Sequence, residues 1–393
     1  MLREIHAGRE KLLGNHEVNL DMADYVDSEC RLPVDVSLVP AHPSYGVISM
    51  LRYWRALLDS HRASDRYQFH SVLMGDYGSE QIQRRSRFHR IWTRHLAYPL
   101  QVRTHCRGKI AHVLDHSWAD MLSHVPARMA KVVNVHDLIP LRYPGELREG
   151  QVKRFRQIVD HVQKADRAIC ISEYTKREAM EWLGIPEEKL RVVYLGVEPF
   201  ILDEGIHAEI EARLACTEGL LRLGCIGSTL ERKNLAILAP ALARAKALGV
   251  DVALIRVGAK LPEAQVEALH QAIGSDRLIE MGILRDDQLA AFYRAVDGVV
   301  MPSTYEGFGL PVLEAMAAGT PVLSSSSSCL PEVGGDAALY FDPHMPDELA
   351  QRLVEWAEPE RRRELGSLGQ SRAAHFSWRS TLEGVYDVYR ELA

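Results

Sequence analysis

The stretch GVVMPSTYEGFGLPVLEAMAAGTPVLSS, residues 298–325, sets two short apolar runs, 298–303 and 320–325, on either side of a helical segment. Unalternating Val, Leu and Met mark strands buried on both faces, and a helix between two such strands makes a parallel βαβ unit. Pro311 suits the first helical turn, where its fixed φ helps and its missing N–H would be unpaired anyway. Gly319 suits the left-handed position after the last turn. The spacing predicts a helix from about Leu310 to Ala318 behind a Gly-Phe-Gly loop. Glu314 then projects from the first turns of that helix, and Glu306 lies in the loop before it. The N–H groups of Phe308, Gly309 and Leu310 are left free where the helix dipole favours electronegative ligands. Paired carboxylates can act as acid and base on a glycosidic bond, or simply hold a ligand's hydroxyls. A loop acid and a solvated helix face are the plainer alternatives, and the apolar density of the segment favours the ligand-holding role.

The same rhythm runs through most of the 393 residues. Strand-like runs occur at 34–40, 67–75, 110–115, 131–137, 167–172 and 190–196, then at 221–227, 252–258 and 277–282 ahead of the opening pair. GVEPFILDEGIHAEIEARLACTEG (196–219) interrupts the series and reads as a linker. The fold class is therefore α/β, with two Rossmann-like doubly wound domains facing across a cleft. The expected boundaries are 1–200 and 201–377. The first 30 or so residues precede any credible strand and read as an added segment.

Composition bounds the function. Hydrophobic residues make up 47% and charged residues 25%, as in a globular protein with full-sized cores. A formal net charge of -6 argues against nucleic acid as a partner. Six scattered cysteines without a C-x-x-C pair suggest a reducing compartment. The charged start MLREIHAGREKLLG is unlike a signal peptide, and no apolar run reaches membrane-spanning length. A cytoplasmic protein is expected, with attachment to the inner face of the cytoplasmic membrane left open.

Four further segments can carry chemistry. In GSTLERKNLAIL (227–238), a strand-ending glycine precedes Arg232 and Lys233 at a helix start. The dipole disfavours cations there, and a bound anion reverses that penalty; a solvated basic turn is the alternative. In HVLDHSWADML (112–122), His116 follows a strand at the carboxyl edge, where open α/β sheets bind ligands. It can polarise an acceptor hydroxyl, or be a strand-end histidine satisfied by the backbone. In PSYGVISMLRYW (43–54), Gly46 stands between strand and helix as a ligand-approaching glycine would. No D-x-D motif occurs in the chain, which implies metal independence and no cofactor. Finally, residues 81–109 hold eight Lys/Arg and no acid. Arg84, Arg87 and Arg94 fall near one helical face, with Phe88, Ile91, Trp92 and Leu96 on an apolar one. Such a helix can lie on an anionic membrane surface, or pack on the sheet with its arginines solvated.

Together these motifs resemble glycosyltransferase family 4, the retaining GT-B enzymes labelled "glycosyl transferases group 1". The resemblance is carried by 133–144, 169–197, 227–238, 305–323, 330–343 and 375–389, and covers about residues 110–393. It implies that the C-terminal domain holds a nucleotide-sugar donor, such as GDP-mannose or a UDP-sugar. Arg232 and Lys233 would neutralise the diphosphate beside Gly227 and Ser228, and Glu314 would accept the ribose hydroxyls. Glu306 and the Phe308, Gly309 and Leu310 amides would meet the sugar, backbone at Ile283 and Leu284 the base, and Gly46 the diphosphate. His116 matches the acceptor-side histidine that contacts the donor sugar, and His136 and Asp137 fall on the acceptor side. Residues 378–393 would return to the N-terminal domain. The chain departs from the family in having Pro-Ser-Tyr-Gly where G-G-x-G is common, and Ser228 where some members carry arginine. The implied activity is metal-independent, retaining hexosyl transfer by front-face attack to a sugar or lipid-linked glycan, in cell-surface polysaccharide or lipopolysaccharide synthesis. A non-catalytic nucleotide-sugar-binding subunit, and a phosphorylase or epimerase on the same architecture, are the competing classes.

Overall fold

A computed structural model describes residues 33–45, 48–61, 67–73, 86–148, 150–198 and 201–393. The added N-terminal segment, Gly46 and Arg84 lie outside the described residues.

Among the described residues the apolar runs form two six-stranded, wholly parallel sheets. The first holds β1 (Val34–Val39), β2 (Tyr67–Ser71), β3 (Ile110–Val113), β4 (Ala130–Val135), β5 (Arg167–Cys170) and β6 (Leu190–Val192), in the order β2-β1-β3-β4-β5-β6. The second holds β7 (Leu221–Gly227), β8 (Val252–Gly258), β9 (Leu278–Gly282), β10 (Gly298–Met301), β11 (Val322–Ser325) and β12 (Ala338–Phe341), in the order β12-β11-β10-β7-β8-β9. Strand order reverses between β1 and β3 in one sheet and between β7 and β10 in the other. A doubly wound sheet opens a crevice outside its carboxyl edge at such a point. His116 follows β3, Arg232 and Lys233 follow β7, and Glu306 follows β10. Topology alone therefore sends these residues to the two crevices. Both sheets belong to one compact unit, Val34–Ala393.

Two elements differ from the sequence reading. The strand β12 is absent from the apolar series above because ALYF is four residues long and sits at the sheet edge. The supposed linker contains a helix, Glu204–Arg213, whose start is capped by the Asp203 carboxylate accepting from Ile206 N–H. Ile210 is its one fully buried side chain, so no apolar stripe announces it.

A larger correction concerns residues 81–109. Helical turns run from Arg87 to His105 with a π-helical segment at Thr93–Ala97. Arg94 does not share an outer basic face. It is buried, donates to Ser117 O at 2.9 Å and to Asp120 Oδ1 at 2.7 Å, and lies 3.8 Å over the Trp118 ring. Carboxylate and aromatic face together offset the desolvation of the guanidinium. The apolar side chains instead face outward: Phe88 is 79% exposed and Leu96 60%, with Ile91, Trp92 and Leu100 also exposed.

The helix Trp378–Arg390 lies against the first sheet and the Ile48–His61 helix. Its Tyr386 hydroxyl meets His61 Nδ1 at 2.6 Å, and Glu391 just beyond it pairs with Arg167 and Arg191 at 2.7 Å. Its Tyr389 hydroxyl donates to His112 Nδ1 at 2.6 Å, while His112 Nε2–H donates to Asn134 Oδ1. Burial pushes the His112 pKa down to about 3, so the ring is neutral and both nitrogens are satisfied. Tyr389→Phe strands a buried acceptor, and we expect a loss of about 1–3 kcal/mol in urea unfolding at neutral pH; unchanged stability would show that the C-terminal helix is not held there.

Candidate functional site

The turn after β7 is built to present two cations. Glu231–Lys233 forms a single 3-10 turn, ended by Asn234 in the left-handed region at φ +53. Asparagine tolerates that conformation better than most residues. Its side-chain amide also ties the turn to Pro302 O at 3.1 Å and Pro343 O at 2.7 Å. Lys233 Nζ then reaches Glu306 Oε1 at 2.5 Å, and Arg232 Nη1 lies 3.5 Å from Glu306 Oε2.

A second carboxylate comes from the other half of the molecule. Glu146 accepts from the Arg232 main-chain N–H at 3.4 Å. Its Oε2 lies 3.5 Å from Arg232 Nε, which is ion-pair distance without hydrogen-bonding geometry, since that nitrogen is buried without a hydrogen-bond partner. All four side chains are largely sequestered from water. The result is a small, charge-balanced cluster at the β7/β10 switch point.

The loop carrying Glu306 is seated on the first sheet. The Glu306 N–H donates to Ser328 Oγ at 3.0 Å. Gly307 O accepts from Ser172 Oγ at 3.1 Å, and a Cβ on Gly307 would stand 2.5 Å from His136 O. On its other side, His136 N–H donates to His116 Nδ1 at 3.2 Å. The same His116 nitrogen lies 3.6 Å from Asp115 Oδ1. Asp115 caps the turn that starts at His116, accepting from Ser117 N–H at 2.8 Å. One residue, His136, thus sits between His116 and the Glu306 loop. Its own ring is fully packed, bonds Leu114 O at 2.8 Å, and has a pKa lowered by burial. Asp137 Oδ1 accepts from Ile139 N–H at 3.0 Å and caps the turn behind it.

The helix behind the Gly-Phe-Gly loop runs Leu310–Ala317, with Gly309 at φ +90 before it and Gly319 at φ +76 after it. The Phe308 ring is buried against Tyr194 and Phe376, leaving its main chain at the helix start. Glu314 is buried and already has two donors, Tyr293 OH at 2.9 Å and Arg52 Nη1 at 3.1 Å. Burial, then the neighbouring Glu314 carboxylate, raises the Tyr293 pKa, so the phenol keeps its proton and donates.

Arg232, Lys233 and Glu306 are brought into contact, with Gly227 and Ser228 at the strand end just before them. His136 adjoins the same loop, and His116 lies behind His136. Ile283 and Leu284 follow the outer strand β9, where Ile283 is 87% exposed. Sequence reasoning missed Glu146, Arg52, Tyr293, Asn234 and the buried pair Tyr305–Glu178, whose side chains hydrogen-bond across the two halves. Asn234 alone carried a local signal, an αL-tolerant residue straight after the Arg-Lys turn. Among the described residues no group of three or more His, Cys, Asp or Glu is arranged to hold a metal ion.

Residues 33–199 match the family described as Glycosyltransferase Family 4, and residues 221–358 match Glycosyl transferases group 1. The chain belongs to glycosyltransferase family 4. Among its family 4 relatives, D-inositol 3-phosphate glycosyltransferase of Acidothermus cellulolyticus is 29% identical over 304 residues, 72% of this chain and 65% of that protein. The serotype-specific mannosyltransferase WbdA of Escherichia coli is 31% identical over 275 residues, 65% of this chain and 33% of that protein. The chain thus spans less than two thirds of the length of either relative. Anabaena HepE, solved in complex with UDP and glucose, superposes with a TM-score of 0.67 at 18% identity, covering 91% of this chain and 100% of that one. WaaG, a glycosyltransferase involved in lipopolysaccharide biosynthesis, superposes at 0.61 with 13% identity, covering 90% of this chain and 99% of that one. The two facing sheets are those of the GT-B fold.

If Glu146 and Glu306 hold the two cations in the absence of an anion, weakening that hold should favour an incoming one. Glu146→Gln is expected to tighten inorganic pyrophosphate binding several-fold in calorimetric titration at low salt. Unchanged affinity would mean that Glu146 does not compete for Arg232.

Proposed function

We propose that this family 4 chain transfers a hexose from a nucleoside diphosphate sugar to a sugar or lipid-linked glycan, in the assembly of a cell-surface polysaccharide. The observation that carries this reading is the Arg232–Lys233 pair, desolvated at the switch-point crevice, with Glu306 beside it. A departing diphosphate gains about one further negative charge, and fixed cations in a dry crevice stabilise that charge without reorganising. In this reading Glu306 releases Lys233 to the diphosphate and turns to the donor sugar, whose hydroxyls also meet the amides at Phe308–Leu310. Glu314 takes the ribose hydroxyls, and the backbone at Ile283–Leu284 meets the base. His116 contacts the donor sugar from the acceptor side, where His136 and Asp137 support it. Transfer proceeds with retention, by attack on the face that the diphosphate leaves, and the leaving phosphate takes the acceptor's proton. The cations do the work that a metal would otherwise do. The mannosyltransferase names among the relatives favour GDP-mannose, and the UDP and glucose bound to HepE favour a UDP-sugar.

Lys233→Ala is expected to lower transfer at least 10²–10³-fold while the protein stays folded. The check is mass spectrometry of products from GDP-mannose and UDP-glucose with a panel of glycan acceptors. Near-normal turnover in a folded variant would remove Lys233 from the mechanism. A wild-type protein that binds a nucleotide sugar but neither transfers nor slowly hydrolyses it would favour the non-catalytic subunit.

We also propose that the helical segment 87–105 docks the protein on an anionic lipid surface. Support comes from the outward row Phe88, Ile91, Trp92, Leu96 and Leu100, flanked by exposed Arg90, Arg103 and Lys109. Among the described residues no helix is long and apolar enough to cross a membrane. Co-sedimentation should be strong with vesicles containing phosphatidylglycerol and weak with phosphatidylcholine alone. Replacing Phe88, Trp92 and Leu96 by Ser should reduce it roughly tenfold or more, given the apolar area removed; retained binding would place the contact elsewhere.

A further inference from the structure

Arg256 stands near the carboxyl end of β8 and is 1% exposed. A guanidinium so far from water is costly unless its donors are met. Its hydrogen bonds among the described residues all go to main-chain carbonyls: Cys225 at 2.9 Å, Gly227 at 2.6 Å, Ser228 at 3.1 Å, and Val257. Its Nε is buried without a partner.

Two of those carbonyls belong to the residues that lead from β7 into the Arg232–Lys233 turn. In a planar trans peptide, the N–H of each residue points opposite to the preceding C=O. Drawing the Gly227 and Ser228 carbonyls onto Arg256 therefore turns the Ser228 and Thr229 N–H groups the other way, out past the strand end toward the crevice. Neither N–H makes a main-chain hydrogen bond among the described residues. The neighbouring strand is shaped to allow this orientation. Gly258 pairs in register with Gly227, and a Cβ there would stand 2.1 Å from the Gly227 oxygen. The carbonyl can lie back against β8 because residue 258 has no side chain.

We propose that Arg256 is a positioning residue: it fixes the 227–229 peptides so that the Ser228 and Thr229 amides form an anion-binding pair for the donor's diphosphate, beside Lys233. This rests on the donor-site reading above. It also supplies a diphosphate contact at the place where Ser228 stands instead of an arginine. The contact is made by main chain, and the positive charge behind it comes from the next strand.

The test compares UDP and GDP with uridine and guanosine by calorimetric titration of wild type, Arg256→Met and Arg256→Lys. In Arg256→Met, affinity for the better-bound diphosphate should fall tenfold or more while affinity for its nucleoside stays within about twofold. Arg256→Lys, which keeps the charge but not the planar fork, should fall between. Equal losses for diphosphate and nucleoside would mark a purely structural role and overturn the proposal. Because a core variant can fail to fold, the wild type supplies a second readout. Hydrogen exchange at the Ser228 and Thr229 amides should slow with the diphosphate and not with the nucleoside. Unchanged exchange in a protein that binds the diphosphate would overturn the proposal. A wild type that binds neither diphosphate would instead overturn the donor-site reading itself.

Discussion

The site depends on a contact in which one partner has no side chain. Gly307 lets the loop after β10 settle on the carboxyl ends of β4 and β5, where a Cβ would collide with the His136 carbonyl. Ser172 and Thr175 hydroxyls then bond the Gly307 carbonyl from below. The Tyr305 hydroxyl beside it reaches Glu178. Burial raises the Tyr305 pKa, keeping it a donor to a carboxylate whose own pKa burial raises. These bonds fix Glu306 relative to the first sheet. Since His136 is also the residue that orients His116, the same contact sets the spacing of the two functional edges.

From that contact follows the electrostatic character of the crevice. Glu306 is held by its main chain, so its carboxylate is available to neutralise Lys233 and Arg232. A buried pair of this kind contributes little net stability, but removing one partner leaves a stranded charge, at about 3–5 kcal/mol. The cations are thus kept dry and oriented in the absence of an anion. Arg52 does something comparable for Glu314, across the same crevice and from the other half of the molecule. Arg232, Lys233, Glu306 and Glu314 are thus each met by a counter-charge from a different element.

The sequence reading succeeded where the signal was local. Unbroken Val, Ile and Leu runs gave eleven of the twelve described strands, and Pro311 and Gly319 bounded the key helix to within a residue. The switch points came from the strand pairing, which the runs alone do not specify. What escaped was non-local. Glu146 lies 86 residues from Arg232, and Arg52 lies 262 from Glu314, so neither can be told from a surface charge by its neighbours. Arg94 was misplaced for the same reason. Helical spacing puts it with Arg87, but the Trp118 ring and Asp120 carboxylate that claim it come from the turn after β3.

The pattern of misses has a physical cause that bears on the mechanism. Periodicity reports which face of an element is apolar, because apolar burial is non-directional and scales with area. It does not report which charges are desolvated together, because that depends on loops from different strands meeting at one edge. In this fold those loops are where the chemistry lies. Their charges come in neutralised sets, since an uncompensated set would oppose folding before any ligand arrived. On the proposed function, the diphosphate of a nucleotide sugar would replace the negative charge of the carboxylates it displaces, where the cations are already dry. The freed carboxylates would then lie beside the hydroxyls of that ligand, and the counter-charges that allow the site to fold would orient the sugar within it.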